Sequence, residues 1–342
     1  MSNNNLDIFI NWARDDHFFL KIQSGDNTRR TTFNNWNSQD IKPLIMGGFA
    51  IKYLITHPLR NISLNQIMGN FPNKINYITN THDIDMECFV STRAQAVEAS
   101  RRMLDGVNRY CELHFPLGTT TNRNNMSQHS HTKIWNGQNG KRLIFIQHNY
   151  NNGYIFNNLR NKNMVSIVQF TLQQNGREIL QLECGFFLTR GNVRNNVSLN
   201  ANNETPSIDK YFSTYYGIPI KKTDSILEEQ LSTLIREHLP RFQTHGRRNP
   251  FIGREPEKGK KTAFRVYALC TYLQLLINKG AQIPNSNRFV SMCEFGKQVC
   301  LTIVDQTRNN QRKSTNTTRN LQLLLRNVNL QRLFGKNTVL NL

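Results

Sequence analysis

The chain has 342 residues, with 43 Lys and Arg against 23 Asp and Glu, giving a formal net charge of +20 and a pI near 10.0. Charge of that size calls for a polyanionic partner: nucleic acid first, an anionic membrane surface second, and no basic amphipathic helix with an apolar face supports the membrane. The absence of any run of about 18 apolar residues argues against a membrane-spanning helix, and the opening MSNNNLDIFINWARDD lacks the basic start and apolar stretch of a secretory signal.

Length suggests roughly two domains. A mean hydropathy of -0.56 with 20 Phe is polar yet leaves enough bulky apolar material for cores. The six cysteines, Cys88, Cys111, Cys184, Cys270, Cys293 and Cys300, form no Cys-x-x-Cys pair. They read as small buried hydrophobes rather than zinc ligands, and a reducing compartment is expected.

Along the chain, residues 1–40 combine a short helical pattern from Leu6 to Trp12 with polar linker. KPLIMGGFAIKYLITH is an apolar run, a glycine pair, then helix-period Ile51, Leu54 and Ile55, which predicts a turn opening a helix. ITNTHDIDMECFVS predicts a strand, and STRAQAVEASRRMLDGVNRY a helix capped by Ser91 or Thr92. ELHF, KIW, RLIFIQHNY, MVSIVQFTLQ and EILQLECGFFLT predict strands, with hairpin turns at Asn136–Gly140 and Asn175–Gly176. His129 and His131 read as loop residues. An Asn-rich loop over 191–206 is the candidate boundary, after which KTDSILEEQLSTLIREHL, TAFRVYALCTYLQLLINKG and TTRNLQLLLRNVNLQRLF predict helices. Between the first two of these lies an exposed basic loop carrying Arg241, Arg247, Arg248, Arg254, Lys258, Lys260 and Lys261. Arginines and lysines of that density suit a nucleic-acid backbone; Phe242 and Phe251 among them read as loop anchors. Arg265, Tyr267 and Tyr272 read as core or helix-surface residues, with a nucleotide contact as the alternative. The expected fold is α+β: an N-terminal segment 1–40, a mixed sheet with helices over 41–190, and a mainly helical, basic, nucleic-acid-binding domain over 207–342.

The chemistry lies in Gly47-Gly48 opening a helix and Asp83-Ile84-Asp85 on the next strand. Period-two geometry puts Asp83 and Asp85 on one face, where two carboxylates repel unless cations lie between them. Mg²⁺ takes carboxylates together with phosphate oxygens and water, which suits a nucleoside triphosphate. Glycines at a helix N-terminus let backbone amides approach phosphate closely.

A Gly-Gly turn and helix followed by a strand bearing Asp-x-Asp resembles the DNA-polymerase-β-like nucleotidyltransferase superfamily. Gly48 to Asp83 spans 35 residues, longer than in minimal members, with the excess in an insertion around 58–80. That gap, with Thr81, Asp83 and Asp85, is similar to the poly(A) polymerases of large DNA viruses. Tyr216-Gly217-Ile218-Pro219 and the helix after it look like the segment linking the catalytic and helical parts of those enzymes.

The resemblance implies the nucleotidyltransferase fold and a template-independent enzyme adding AMP from ATP to RNA 3′ ends, using two Mg²⁺ or Mn²⁺ ions. Asp83 and Asp85 would hold the metals, with Glu183 as third carboxylate and Glu87 or Glu178 as rivals for that place; Gly47, Gly48 and Lys52 would bind the nucleotide. It also implies a viral protein of the host cytoplasm or the virion, as a homodimer or with a viral partner subunit. Three alternatives stay open: a non-catalytic RNA-binding or processivity subunit on the same fold, a basic virion protein that condenses nucleic acid, and transfer to a protein or small-molecule acceptor.

Overall fold

A computed structural model describes residues 43–56, 62–81, 83–90, 92–114, 119–124, 130–156, 162–188, 214–215, 218–220, 223–238, 256–280, 286–308, 313–329 and 333. Seven strands among these form one mixed sheet: β1 (Pro43–Met46), β2 (Asp83–Val90), β3 (Thr119–Asn124), β4 (Ser130–Asn136), β5 (Lys141–Phe156), β6 (Lys162–Gln174) and β7 (Arg177–Leu188). Their spatial order is β1-β2-β7-β6-β5-β4-β3. Strands β3 to β7 run as an antiparallel meander, and the chain then returns so that β7 lies parallel to β2. The sheet is the expected α+β arrangement, with a strand, β3, that the sequence pattern did not announce.

The turns follow from residue chemistry. Asn175 and Gly176 both take positive φ, 50° and 74°, and join Gln174 to Arg177 as a two-residue loop whose twist matches the flanking strands. Asn139 and Gly140 also take positive φ, in the longer turn over 137–140 between β4 and β5, and the two turns touch, with Asn175 N–H donating to the Gly140 carbonyl at 2.9 Å. Helix α1 (Gly47–Thr56) follows β1 directly, and α2 (Leu64–Met68), a 3-10 turn (Pro72–Lys74) and α3 (Asn76–Thr79) fill the insertion before β2. Ser63 and Gln66 form a reciprocal capping box on α2.

Helix α4 (Arg93–His114) is capped by Thr92, whose hydroxyl accepts from Gln95 N–H at 3.2 Å while the Gln95 side chain accepts from Thr92 N–H. It continues through Glu112 to His114, so these residues of ELHF end a helix rather than form a strand, and Phe115 lies outside the described residues: the alternation is too short to outweigh a helix already propagating. One sheet face packs under α4. Ile84, Met86, Cys88 and Val90 of β2, Leu182, Cys184 and Phe186 of β7, and Phe145 and Phe170 beyond share that core with Ala96, Ala99 and Met103. Ser100 meets Ser166 across it at 3.5 Å. His131 belongs to β4 rather than to a loop, with its ring edge towards Phe145.

The later part is helical: α5 (Thr223–His238), α6 (Pro256–Asn278), α7 (Ser286–Arg308) and α8 (Lys313–Arg326), preceded by a short hairpin of β8 (Thr214–Tyr215) and β9 (Ile218–Pro219). Helix α7 was not singled out in the sequence; its buried Phe289, Met292, Cys293, Phe295, Val299, Cys300 and Ile303 recur at helical spacing but are interleaved with polar residues. Helix α6 begins at Pro256, so Lys258, Lys260 and Lys261 lie in its first turns rather than in a loop. Proline suits a helix start, because its missing N–H would have no intrahelical acceptor there. The helix expected over Leu6–Trp12, the loop 191–206, Tyr216-Gly217, and Arg241, Phe242, Arg247, Arg248, Phe251 and Arg254 lie outside the described residues.

The two halves share one hydrophobic cluster, from Ile45 to Leu333. The insertion joins them: Phe71 meets Phe264 and Tyr267 edge-on at 5.4 and 5.3 Å, and Tyr77 stacks on Phe264 at 5.4 Å with rings 8° apart. Every cysteine in the chain is buried and outside any disulfide, in keeping with the reading as small hydrophobes. No helix among the described residues is long and apolar enough to cross a membrane. Phe145 is fully buried, 5.2 Å from Phe170. Phe145→Ala should therefore cost about 3–5 kcal/mol in denaturant unfolding, while the half-exposed Ile144 beside it should cost well under half of that on truncation to Ala.

Candidate functional site

Alternation along β2 sends Ile84, Met86 and Cys88 into the α4 core and Asp83, Asp85 and Glu87 to the other face. Burial rises along that face: Asp83 is exposed, Asp85 half-buried and Glu87 fully buried. Asp83 and Asp85 are thus neighbours on one face, with Cα atoms roughly 6–7 Å apart from strand geometry.

Register brings the other groups to Asp85. In the parallel pair Asp85 lies opposite Glu183, so the two side chains share a face at the interstrand spacing of roughly 4.8 Å. Glu183 is half-buried and Glu178 is exposed at the hairpin end. Of the three glutamates considered for a third carboxylate, Glu183 is the one both level with Asp85 and partly open.

On the opposite side, Met46, the last residue of β1, pairs with Asp85. The chain must therefore turn at Gly47, level with that carboxylate, and it does so with φ +68°. A Cβ on Gly47 would lie 2.6 Å from Asp85 Oδ2. Glycine is required twice there, for the backbone conformation and for the space. Helix α1 starts on this residue, so its N-terminal N–H groups and the positive end of its dipole lie at the carboxylate strand.

Gly48 is needed for a different reason: a Cβ there would overlap the guanidinium of Arg265, which reaches over from α6. Arg265 is held at two points. Its Nε donates to the Tyr77 carbonyl at 3.2 Å and its Nη2 to Thr81 Oγ1 at 2.6 Å. Thr81 is buried, donates its own hydroxyl to the Ile78 carbonyl at 3.2 Å, and lends its carbonyl to Lys52 Nζ at 3.4 Å. Burial pushes the Arg265 pKa down, and the negative fields of Asp85 and then Asp83 push it back up. Arg265 is thus a largely buried cation that lies in the field of both aspartates.

Asp83, Asp85, Glu183, Gly47, Gly48 and Lys52 thus surround one place, the start of β2. Lys52 faces the Thr81 carbonyl there. Of the basic group, Lys258, Lys260 and Lys261 lie on α6, the helix that delivers Arg265. Arg265 itself is the site residue that the sequence reading set aside as core or helix surface. A helix with apolar neighbours on both sides gives no local sign that one arginine crosses to another part of the chain.

The donor set suits a hard divalent cation: carboxylate oxygens on one face, with an open side at Asp83. Among the described residues no group of three His, Cys, Asp or Glu is gathered into a ready-made metal cage. Mg²⁺ ordinarily uses one or two protein carboxylates and completes its shell from substrate phosphates and water.

Gly47→Ala should lower stability by about 1–3 kcal/mol through the left-handed backbone position alone, read as a shift in the unfolding midpoint. Part of the loss should be recovered in the Gly47→Ala/Asp85→Ala double variant, where the crowded carboxylate is gone. In comparisons with known proteins, no family model matches the chain, and neither a curated protein nor a solved structure does.

Proposed function

We propose that the protein is a template-independent nucleotidyltransferase of the polymerase-β-like kind, adding AMP from ATP to RNA 3′ ends. The observation that carries this reading is the contact between Gly47 and Asp85. A glycine turn at a helix N-terminus, able to take a triphosphate, abuts the carboxylate that would hold its metal. The register of Asp85 with Glu183 and the +20 charge of the chain support it further.

In this reading Asp83, Asp85 and Glu183 hold two Mg²⁺ or Mn²⁺ ions. Bound there, the ions would favour deprotonation of the primer 3′-hydroxyl and offset the charge developing on pyrophosphate. The backbone amides after Gly47 and Gly48 orient the triphosphate, and the dipole of α1 favours its negative charge. Burial of the carboxylates' inner neighbours under α4 fixes β2, so that Asp83 and Asp85 keep their spacing without induced movement. Lys258, Lys260 and Lys261, with the arginines before them, supply the salt-sensitive grip on RNA.

One observation favours the non-catalytic alternative on the same fold: Arg265 already brings positive charge to the aspartate pair, as a purely structural site would require. A primer-extension assay separates the two. With a labelled RNA primer, Mg²⁺ or Mn²⁺ and each triphosphate in turn, the wild type should give ladders with ATP. Asp85→Ala should lose at least about 10³-fold in rate, the scale of lost charge stabilisation in an active site, while RNA affinity in a filter-binding assay changes less than twofold. Full transfer by Asp85→Ala, or none by the wild type with any triphosphate, would exclude the enzyme reading.

A further inference from the structure

The guanidinium of Arg265 is only partly used by the fold. Nε and Nη2 are committed to Tyr77 and Thr81, and among the described residues Nη1 has no hydrogen-bond partner; it lies in the space a Gly48 side chain would fill. That places one free N–H pair of a fixed cation at the second residue of α1, on the side where Gly47 touches Asp85. Burial disfavours charge on the group, and the fields of Asp85 and Asp83 favour it. A residue kept charged against its desolvation, with a donor left over beside helix-terminal amides, has the make-up of an anion-binding group.

Resting on the nucleotidyltransferase reading, we propose that Arg265 couples the two ligands of the site: its positive charge acts on Asp83 and Asp85 until a nucleoside triphosphate pairs with Nη1 and offsets that charge, so that triphosphate and divalent cation bind cooperatively. Before nucleotide arrives, the guanidinium neutralises the aspartates and repels a metal ion. A triphosphate at the α1 N-terminus supplies anionic oxygens to Nη1, withdraws the arginine's field from the carboxylates and leaves them to the metal. The energy is reciprocal, since whatever nucleotide contributes to metal affinity, metal contributes equally to nucleotide affinity.

Three titrations of the full-length protein test this. Mn²⁺ alone is followed by the electron paramagnetic resonance signal of the free ion. An ATP analogue with a methylene between its α and β phosphates is titrated in EDTA, and Mn²⁺ is then titrated at saturating analogue. In the wild type the analogue should tighten Mn²⁺ by about fivefold or more, the usual scale of such coupling. Arg265→Gln, which keeps a donor for Thr81, should move the separate affinities in opposite directions: Mn²⁺ alone tighter, analogue alone weaker, with the coupling, corrected for the Mn²⁺ that the analogue chelates in a protein-free control, below that of the wild type. Arg265→Lys, shorter and without the planar fork, should change both in the same senses by less, and it carries the test if the Gln variant does not fold. A merely structural arginine would weaken both ligands together or neither, and that outcome overturns the proposal while leaving the enzyme reading intact. Absence of Mn²⁺ and analogue binding in the wild type overturns both.

Discussion

Like charge is gathered at the start of β2, and Arg265 makes the gathering tolerable. Asp83 and Asp85 project from one face, Glu183 stands level with Asp85, and Glu87 is fully buried two residues on. Carboxylates this close, next to a packed core, call for a counter-charge. The compensating cation comes from a helix 184 residues away from Thr81 along the chain. Much of the packing between the sheet and the helices can be understood as holding that arginine where it stands: Phe71 and Tyr77 of the insertion seat α6 through Phe264, next to it in sequence, and Tyr267, two residues on. Tyr77 gives its carbonyl to Arg265 and its ring to Phe264. The insertion before β2 is therefore a bracket between the two parts of the chain.

Thr81 shows how one small residue organises such a bracket. Its hydroxyl donates to Ile78 and accepts from Arg265, and its carbonyl accepts from Lys52. Two cations from two different helices are thereby fixed at the N-terminal end of the aspartate strand. A hydroxyl can donate and accept at once, so valine, of the same shape, would leave the arginine without one of its two anchors.

Much of this was legible in the sequence, and the illegible parts share a cause. Asp83 and Asp85 share a face because strand alternation is a local rule, and Gly47-Gly48 opens a helix because glycine pairs do so locally. Asn175–Gly176 turned the hairpin as its residues dictate, and that hairpin delivers Glu183. The face-sharing of Glu183 with Asp85 needed the parallel return of β7 to β2, which no local pattern encodes. Arg265 was set among core and surface residues because its neighbours in sequence, Phe264 and Val266, are buried, and only the tertiary fold shows what the arginine itself reaches. The end of α4 and the first turns of α6 were misjudged at their boundaries, where charged and polar residues occupy helix termini as readily as loops. Helix α7 went unannounced because its buried residues are interleaved with polar ones.

The parallel pairing of β2 with β7 has a consequence for how the protein comes to work. Everything from Val90 to Arg177 must be made and folded into a meander before Glu183 reaches Asp85, and Arg265 is later still in the chain. Contacts so distant in sequence close last, because their loop entropy is repaid only after the intervening strands have paired. A nascent or truncated chain thus carries its aspartates with neither carboxylate partner nor counter-charge. Competence at this site is acquired in one late step, on completion of the sheet and docking of α6, rather than gradually during synthesis.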